Sequence, residues 1–415
     1  MTQLTPTITR WQGVGLLSTA LLGTSVFLLP QLTVKMAADG ALLAWGILLL
    51  AMLPVALVFA KLGQRYPDAG GPATFVGNAF GERAGAAIGL LFLAVAPIGL
   101  PAAMMMTLAF ADALVPMSAA TKLALGLGLN GLMLALNYRG LQLSGKLQFG
   151  LTVVIMAIFA LLALTHGDSL RLPQWPGQAM SPVLAATGVA MWAFLGIEAF
   201  AHLSAEFQDP KRDFLPAMMW GTVIVGLIYL LGTALVLDLG AAPLAMATLF
   251  DQSFGAGGAW VIGGLGVLAG FATMNTYFNS MARLLWSLAG QGYLPQGLAQ
   301  LNSAAVPARS MWALALLQAG SLLLAYLLEW DFEHLLAPSN GIFVLVYLLA
   351  MLAGYRLLSR SFKWVAAFGA VLIMVLGYSI GMQMLYAVVA LAVAIGLLWL
   401  QPKLKARAAP SGNSV

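Results

Sequence analysis

Two short stretches carry residue types that could do chemistry in an otherwise apolar chain. Residues 191–214 read MWAFLGIEAFAHLSAEFQDPKRDF. Glu198, His202 and Glu206 follow one another at four-residue steps, so on a helix they share one face. Gly196, two residues before Glu198, weakens the helix at that point. A carboxylate inside a membrane span is costly and by default faces a cavity or a pathway. The alternative is a Glu198 that only pairs with a neighbouring helix. The second stretch, residues 21–27, reads LLGTSVF and interrupts the first apolar run at Gly23, Thr24 and Ser25.

An interrupted helix leaves backbone N–H and C=O groups without helical partners. The N-terminus of a half-helix attracts a carboxylate, and freed carbonyls attract an ammonium group. Gly23, Thr24 and Ser25 can present amides, and residues 192–196, from Trp192 through Leu195 to Gly196, can present carbonyls. Together they would receive a zwitterion, the backbone of an amino acid. The nearby residues are Met, Phe, Leu, Trp and Tyr, with no charged side chain beyond Glu198. The pattern therefore predicts a neutral, apolar substrate side chain.

Other chemistries fit less well. His202 has a carboxylate four residues to either side, but a metal centre in a helical bundle draws Glu-x-x-His pairs from two helices. The chain offers no second cluster, so no metal is expected. His166 and His334 fall near span ends and read as interfacial. There is no cysteine and no H-E-x-x-H motif, so the reading is not an enzyme; an intramembrane enzyme would need a nucleophile–base pair or a metal cluster. No P-loop pattern is present, which argues against ATP drive.

These residues must be positioned by a membrane bundle. The chain has 415 residues, 61% hydrophobic and 8% charged, where a soluble domain carries roughly 25% charged residues. A crossing helix needs about 20 apolar residues. On that basis twelve spans are predicted, near 11–38, 41–62, 83–114, 119–138, 147–166, 183–205, 215–238, 259–289, 308–328, 334–356, 363–380 and 382–400. With both termini cytoplasmic, only Lys35, Lys122 and Arg171 of the 19 Lys and Arg residues fall on the outer side, as the positive-inside rule requires. The fold class is an all-α polytopic membrane protein. It forms a single transmembrane domain over residues 1–400, followed by a cytoplasmic tail at 401–415.

The two interrupted spans are the first and the sixth. Five spans separate their starts, so the sixth enters from the opposite face. This is the arithmetic of a five-plus-five inverted repeat, over about 11–166 and 183–356, with two extra helices at 363–400. The third span is kinked by Pro97 and Pro101 and followed by Met104, a candidate pocket residue. The eighth is rich in small residues and then turns polar at 275–280, making Asn275 and Tyr277 candidates.

Several motifs resemble one superfamily over nearly the full length. They are LLGTSVFLLP (21–30), GQRYPDAGGPATFVG (63–77), APIGLPAA (96–103), FLGIEAFAHLSAEFQDPKRDFLPA (194–217) and NSMARLLWSLAGQGYLP (279–295). The chain resembles the amino acid–polyamine–organocation (APC) superfamily and, within it, bacterial exporters of methionine and branched-chain amino acids. The resemblance implies a LeuT-like fold with substrate held between spans 1, 3, 6, 8 and 10. It implies that Thr24 and Ser25 hold the substrate carboxylate through backbone amides and that Trp192 and Leu195 offer carbonyls to the amine. Glu198 becomes a protonatable gate, with Tyr277 lying over the pocket. Ser25 stands where the family usually has glycine, and it narrows the pocket or adds a hydroxyl. Lys146, in Lys146-Leu-Gln148, resembles the internal cation that sodium-independent members place between spans 1 and 8. The alternative is a lysine that only snorkels to the interface.

The expected function is secondary active export of methionine, leucine, isoleucine and valine across a bacterial inner membrane, by alternating access and linked to protons. The alternative within the fold is an uptake symporter or exchanger of amino acids or polyamines. The expected partners are the amino acid substrate and the lipid bilayer, with no nucleic acid and no cofactor.

Overall fold

Backbone polar groups inside hydrocarbon must bond within the protein, which restricts an apolar chain of this kind to helices or a closed barrel. The computed structural model describes residues 8–23, 25–67, 71–139, 145–167, 180–201, 203–204, 207–239 and 244–408; at 145–148 and 401–408 it describes the backbone alone. Among these residues the regular structure is helical, apart from an isolated bridge between Ile8 and Phe207.

The helices are α1 (Arg10–Leu22), α2 (Leu29–Ala37), α3 (Ala41–Arg65), α4 (Pro72–Phe80), α5 (Glu82–Leu93), α6 (Ala96–Leu114), α7 (Ala119–Tyr138), α8 (Gly145–Thr165) and α9 (Met180–Ala190). They continue as α10 (Ile197–Ala201), α11 (Leu215–Val236), α12 (Ala245–Phe254), α13 (Gly264–Gly290), α14 (Ala308–Leu327), α15 (Phe332–Leu357), α16 (Arg360–Ile380) and α17 (Met384–Ala408). Nine continuous helical stretches among the described residues are long and apolar enough to cross a membrane. Two of them each contain a sharp turn that divides one span from the next. Leu29–Arg65 turns at Ala38 (φ 44°), and Arg360–Leu400 turns at Gly381 (φ 65°). With the broken first span and the shorter helix Phe149–Thr165, each of the twelve predicted regions is occupied by helix. The helices α4 and α12 are additions that the apolar pattern did not predict, because each is too short to cross.

Both predicted interruptions are present. The first span leaves the helix at Gly23 and resumes at Leu29, with Pro30 in the new first turn, where proline's missing N–H has no helical partner to lose. The sixth passes from α9 through a tight turn at Met191–Phe194 to an extended Leu195 and then Gly196 at φ 139°. The third span also breaks, between α5 and α6. Pro97 lies in the first turn of α6 and Pro101 inside it.

The carbonyls released at these breaks are taken up by side chains from other helices. Tyr229 of α11 donates to Leu21 O at 3.1 Å, and Tyr347 of α15 reaches Phe194 O at 3.2 Å. Asn340 of α15 donates to Gly188 O at 2.8 Å, and Tyr386 of α17 donates to Ala94 O at 2.9 Å. The two broken spans cross antiparallel: α1 packs on α10 and α2 on α9. At one end Gln208 N donates to Ile8 O at 3.0 Å, and Arg10 pairs with Asp213 at 2.8 Å. Outward-facing Leu316, Leu327, Trp364, Val371, Leu385 and Leu397 on α14, α16 and α17 are exposed, as a lipid-facing surface would be.

Removing one of these donors should be measurable. Tyr386→Phe is expected to destabilise the detergent-solubilised protein by about 1 kcal/mol, because it deletes a single hydrogen bond to a freed carbonyl. Tyr378→Phe, on a residue 80% exposed, serves as the control and should leave the thermal midpoint unchanged.

Candidate functional site

The two breaks face each other across a cavity. Its wall is formed by Ala20, Leu21 and Ser25 of the first span, Trp192 and Leu195 of the sixth, and Val95, Gly99, Leu100 and Ala103 of the third. Thr273, Met274, Tyr277 and Met281 of α13 and Phe343 of α15 complete it. Among the described residues, no charged side chain lies on this wall.

Gly196 makes the approach of the breaks feasible. A Cβ there would lie 2.9 Å from Leu21 Cδ2 and 3.4 Å from Ala20 Cβ. Its φ of 139° also lies outside the conformations that residues with side chains readily adopt. Gly23 has a comparable constraint on the other break, where a Cβ would sit 1.8 Å from Thr273 Oγ1.

Glu198 is fully buried behind the cavity wall. Tyr277 donates to its Oε1 at 3.0 Å, and Tyr347 and the Gly196 N–H donate to its Oε2 at 2.5 and 3.1 Å. Three donors converge on one carboxylate, which suits it as an acceptor in a low-dielectric setting. Tyr277 spans the two environments, lining the cavity while its hydroxyl holds Glu198.

The remaining sequence candidates divide clearly. Ser25, Trp192, Leu195 and Tyr277 line the cavity, with Gly23 and Gly196 in its supporting turns. The Ser25 hydroxyl lies 2.6 Å from Tyr229 Oη, and its amide donates to Leu22 O at 3.2 Å. In this structure that amide closes a turn in the broken span. Asn275 is off the wall and accepts from Asn137 of α7 at 2.6 Å. The reason is helical geometry: a residue two positions from Tyr277 points to the opposite side of α13. Met104 is fully buried beside Gly126 of α7, while Ala103 takes the wall position. Thr24, His202 and Glu206 lie outside the described residues, and for Lys146 the structure describes only a backbone position in the first turn of α8.

Sequence reasoning missed Thr273 and Met281, although a signal was available. They stand four residues to either side of Tyr277 and share its face. Val95, Gly99 and Ala103 form the same kind of stripe along the third span. Tyr229 and Tyr347 had no local signal, because each acts on a carbonyl far away in sequence.

Comparison with known proteins establishes the family. The family model described as amino acid permease matches residues 8–406. The chain belongs to the amino acid permease family. It is 38% identical over 405 residues to the L-methionine/branched-chain amino acid exporter YjeH of Escherichia coli K12, covering 95% of this chain and 96% of that protein. It is 28% identical over 421 residues to the uncharacterized amino acid permease YecA of Bacillus subtilis, covering 97% of each. The putrescine transporter PotE of Haemophilus influenzae is 24% identical over 323 residues, covering 72% of each. This permease is thus a multi-pass membrane transporter of the APC type, not an enzyme, and its substrate is a small molecule.

Gly196→Ala tests the meeting of the breaks in this permease. The added methyl group imposes backbone strain of roughly 1–3 kcal/mol and a clash with Leu21. Transport by reconstituted protein should fall at least about tenfold, as that strain implies, at equal amounts of inserted protein. Gly46→Ala, where a Cβ would meet nothing within 4 Å, should transport like the parent.

Proposed function

We propose that this permease exports neutral, apolar amino acids, namely methionine, leucine, isoleucine and valine, by alternating access and in exchange for protons. The observation that carries this reading is the cavity wall, mostly apolar and, among the described residues, uncharged, placed where two broken spans meet. A charged substrate side chain would be buried there without a partner, at high cost. The exporter that is 38% identical over 95% of the chain supports both the substrate class and the direction. The similarity to putrescine transporters favours a second reading, a polyamine exchanger. A diamine carries a second ammonium group, however, and the described residues of the wall offer it no carboxylate.

Glu198 is the proposed proton-linked gate. Tyr347 Oη lies 2.5 Å from Glu198 Oε2 and 3.2 Å from Phe194 O. With the carboxylate ionised, the phenol donates to it. With the carboxyl protonated, its O–H donates to the phenol oxygen, and the phenol turns its own proton to Phe194 O. Both states keep the carboxyl and the phenol bonded, so a proton can be exchanged without leaving either group unpaired. Substrate arriving at the carbonyls of the sixth span would then sense which way the phenol points.

The proposed setting is the bacterial inner membrane with both termini cytoplasmic. Of the lysines assigned to the outer side, Lys35 pairs with Glu333 at 3.6 Å and Lys122 with Asp112 at 2.7 Å, so each is locally neutralised. Lys146 is proposed as the internal cation between α1 and α13, both of which pack against α8.

Counterflow in proteoliposomes tests the substrate class. Methionine, leucine, isoleucine and valine should exchange at comparable rates, while lysine, arginine, glutamate and putrescine should exchange at least tenfold more slowly. Equal exchange of putrescine and methionine would establish the second reading instead. Glu198→Gln should abolish the response of methionine transport to an imposed pH gradient while exchange persists; an unchanged response would remove Glu198 from coupling. Lys146→Ala should reduce transport severely and Lys146→Arg only partly, whereas mild effects from both would mark an interfacial anchor.

A further inference from the structure

Helical threonines in this protein follow a common habit. Thr19, Thr107, Thr187, Thr222 and Thr276 each donate their hydroxyl to the carbonyl four residues earlier, at 2.8–3.0 Å. This is the ordinary way to satisfy a buried hydroxyl on a helix. Thr273 lies one turn from Thr276 on α13, is 8% exposed, and does not follow it. Its Oγ1 is buried without a hydrogen-bond partner. Among the described residues, the other side chains with such unpaired buried atoms lie off the cavity wall, whereas Thr273 lies on it.

The other described polar side chains on that wall are already engaged. Tyr277 donates to Glu198. Tyr229 gives its proton to Leu21 O, so the Ser25 hydroxyl at 2.6 Å donates to Tyr229. The Ser25 amide is used in a turn, and Trp192 also has a partner. A buried hydroxyl left unpaired costs free energy, and of the unpaired hydroxyls among the described residues Thr273 is the one placed where a ligand in the cavity can supply the partner. Its position suggests which part of the ligand does so. Thr273 Oγ1 is the atom nearest to where a Cβ would stand at Gly23. It therefore lies against the break of the first span, after which α2 begins with its positive end toward that break.

We propose that the Thr273 hydroxyl is a direct substrate ligand from α13, donating to the carboxylate of the bound amino acid. Gly23 lacks a side chain so that this hydroxyl can reach the break. The assignment rests on the amino acid reading given above and adds a residue to the site. It also separates two classes of ligand: a free α-carboxylate accepts a charge-assisted bond from Thr273, and an ester of the same amino acid accepts only a weaker, neutral one.

Thr273→Val removes the hydroxyl at constant shape, and Thr273→Ser keeps it. Without substrate, Thr273→Val should melt no lower than the parent, because an unpaired hydroxyl contributes no bond to lose. Half-saturation for methionine in counterflow should rise about tenfold or more, as expected for losing a hydrogen bond to a charged group, while Thr273→Ser stays within about threefold of the parent, the spread expected between different hydroxyl contexts. Inhibition by methionine methyl ester should weaken much less in Thr273→Val than half-saturation for methionine does, because the ester offers only a neutral acceptor. Unchanged half-saturation in Thr273→Val, or equal weakening of methionine and its ester, would overturn the assignment while leaving the functional reading intact. A parent protein without saturable methionine or leucine binding would remove both.

Discussion

A carbonyl released inside hydrocarbon must find a donor, and the structure depends on how this chain meets that requirement. Each broken span exposes backbone groups that water would otherwise solvate. Tyr229, Tyr347, Asn340 and Tyr386 each reach a carbonyl at or beside a break in another span. The breaks can therefore persist at membrane depth as fixed features.

The helix α3 supports two of these donors from behind. Trp45 stacks on Tyr229 with centroids 4.5 Å apart and planes 10° apart. Phe59, fourteen residues further along the same helix, meets Tyr347 edge-on at 5.5 Å. The Trp45 indole also donates to Thr33 of α2 at 2.9 Å, tying the second half of the first span to the same support. Packing of this kind limits the rotamers of the tyrosines, so each phenol oxygen stays where the carbonyl needs it. What remains free to change is the direction of a proton. At Tyr347 the phenol oxygen lies within reach of both Glu198 Oε2 and Phe194 O, so its proton has a carboxyl and a carbonyl of the sixth span as alternative acceptors.

The cavity itself divides labour between shape and polarity. Leu100, Met274, Met281 and Phe343 supply an apolar surface, and methionine side chains adapt to ligands of differing shape. Polar groups are few and mostly engaged within the protein, which favours ligands whose only charges are those of the amino acid backbone.

Much of this was legible in the residues. Composition required a membrane bundle, apolar run lengths located twelve helical regions, and Gly23 and Gly196 marked the two breaks, because glycine is the residue that tolerates both the conformation and the close approach. Glu198 stood out as a carboxyl in an apolar run. The sequence could not decide which faces of α6 and α13 turn inward, so Met104 and Asn275 were placed on the wall that Ala103, Thr273 and Met281 form. That choice depends on helix rotation, which is set by packing against α7 and α14 and by side chains such as Asn137 that arrive from elsewhere in the chain. Nor could it foresee that the Ser25 amide and hydroxyl would be consumed internally, since their partners are a turn carbonyl and a tyrosine two hundred and four positions away. Local periodicity and backbone permissiveness are written residue by residue, and these determined the helices and their breaks. Which donors remain unspent in the cavity is a sum over contacts between distant segments, and only the tertiary structure performs that sum.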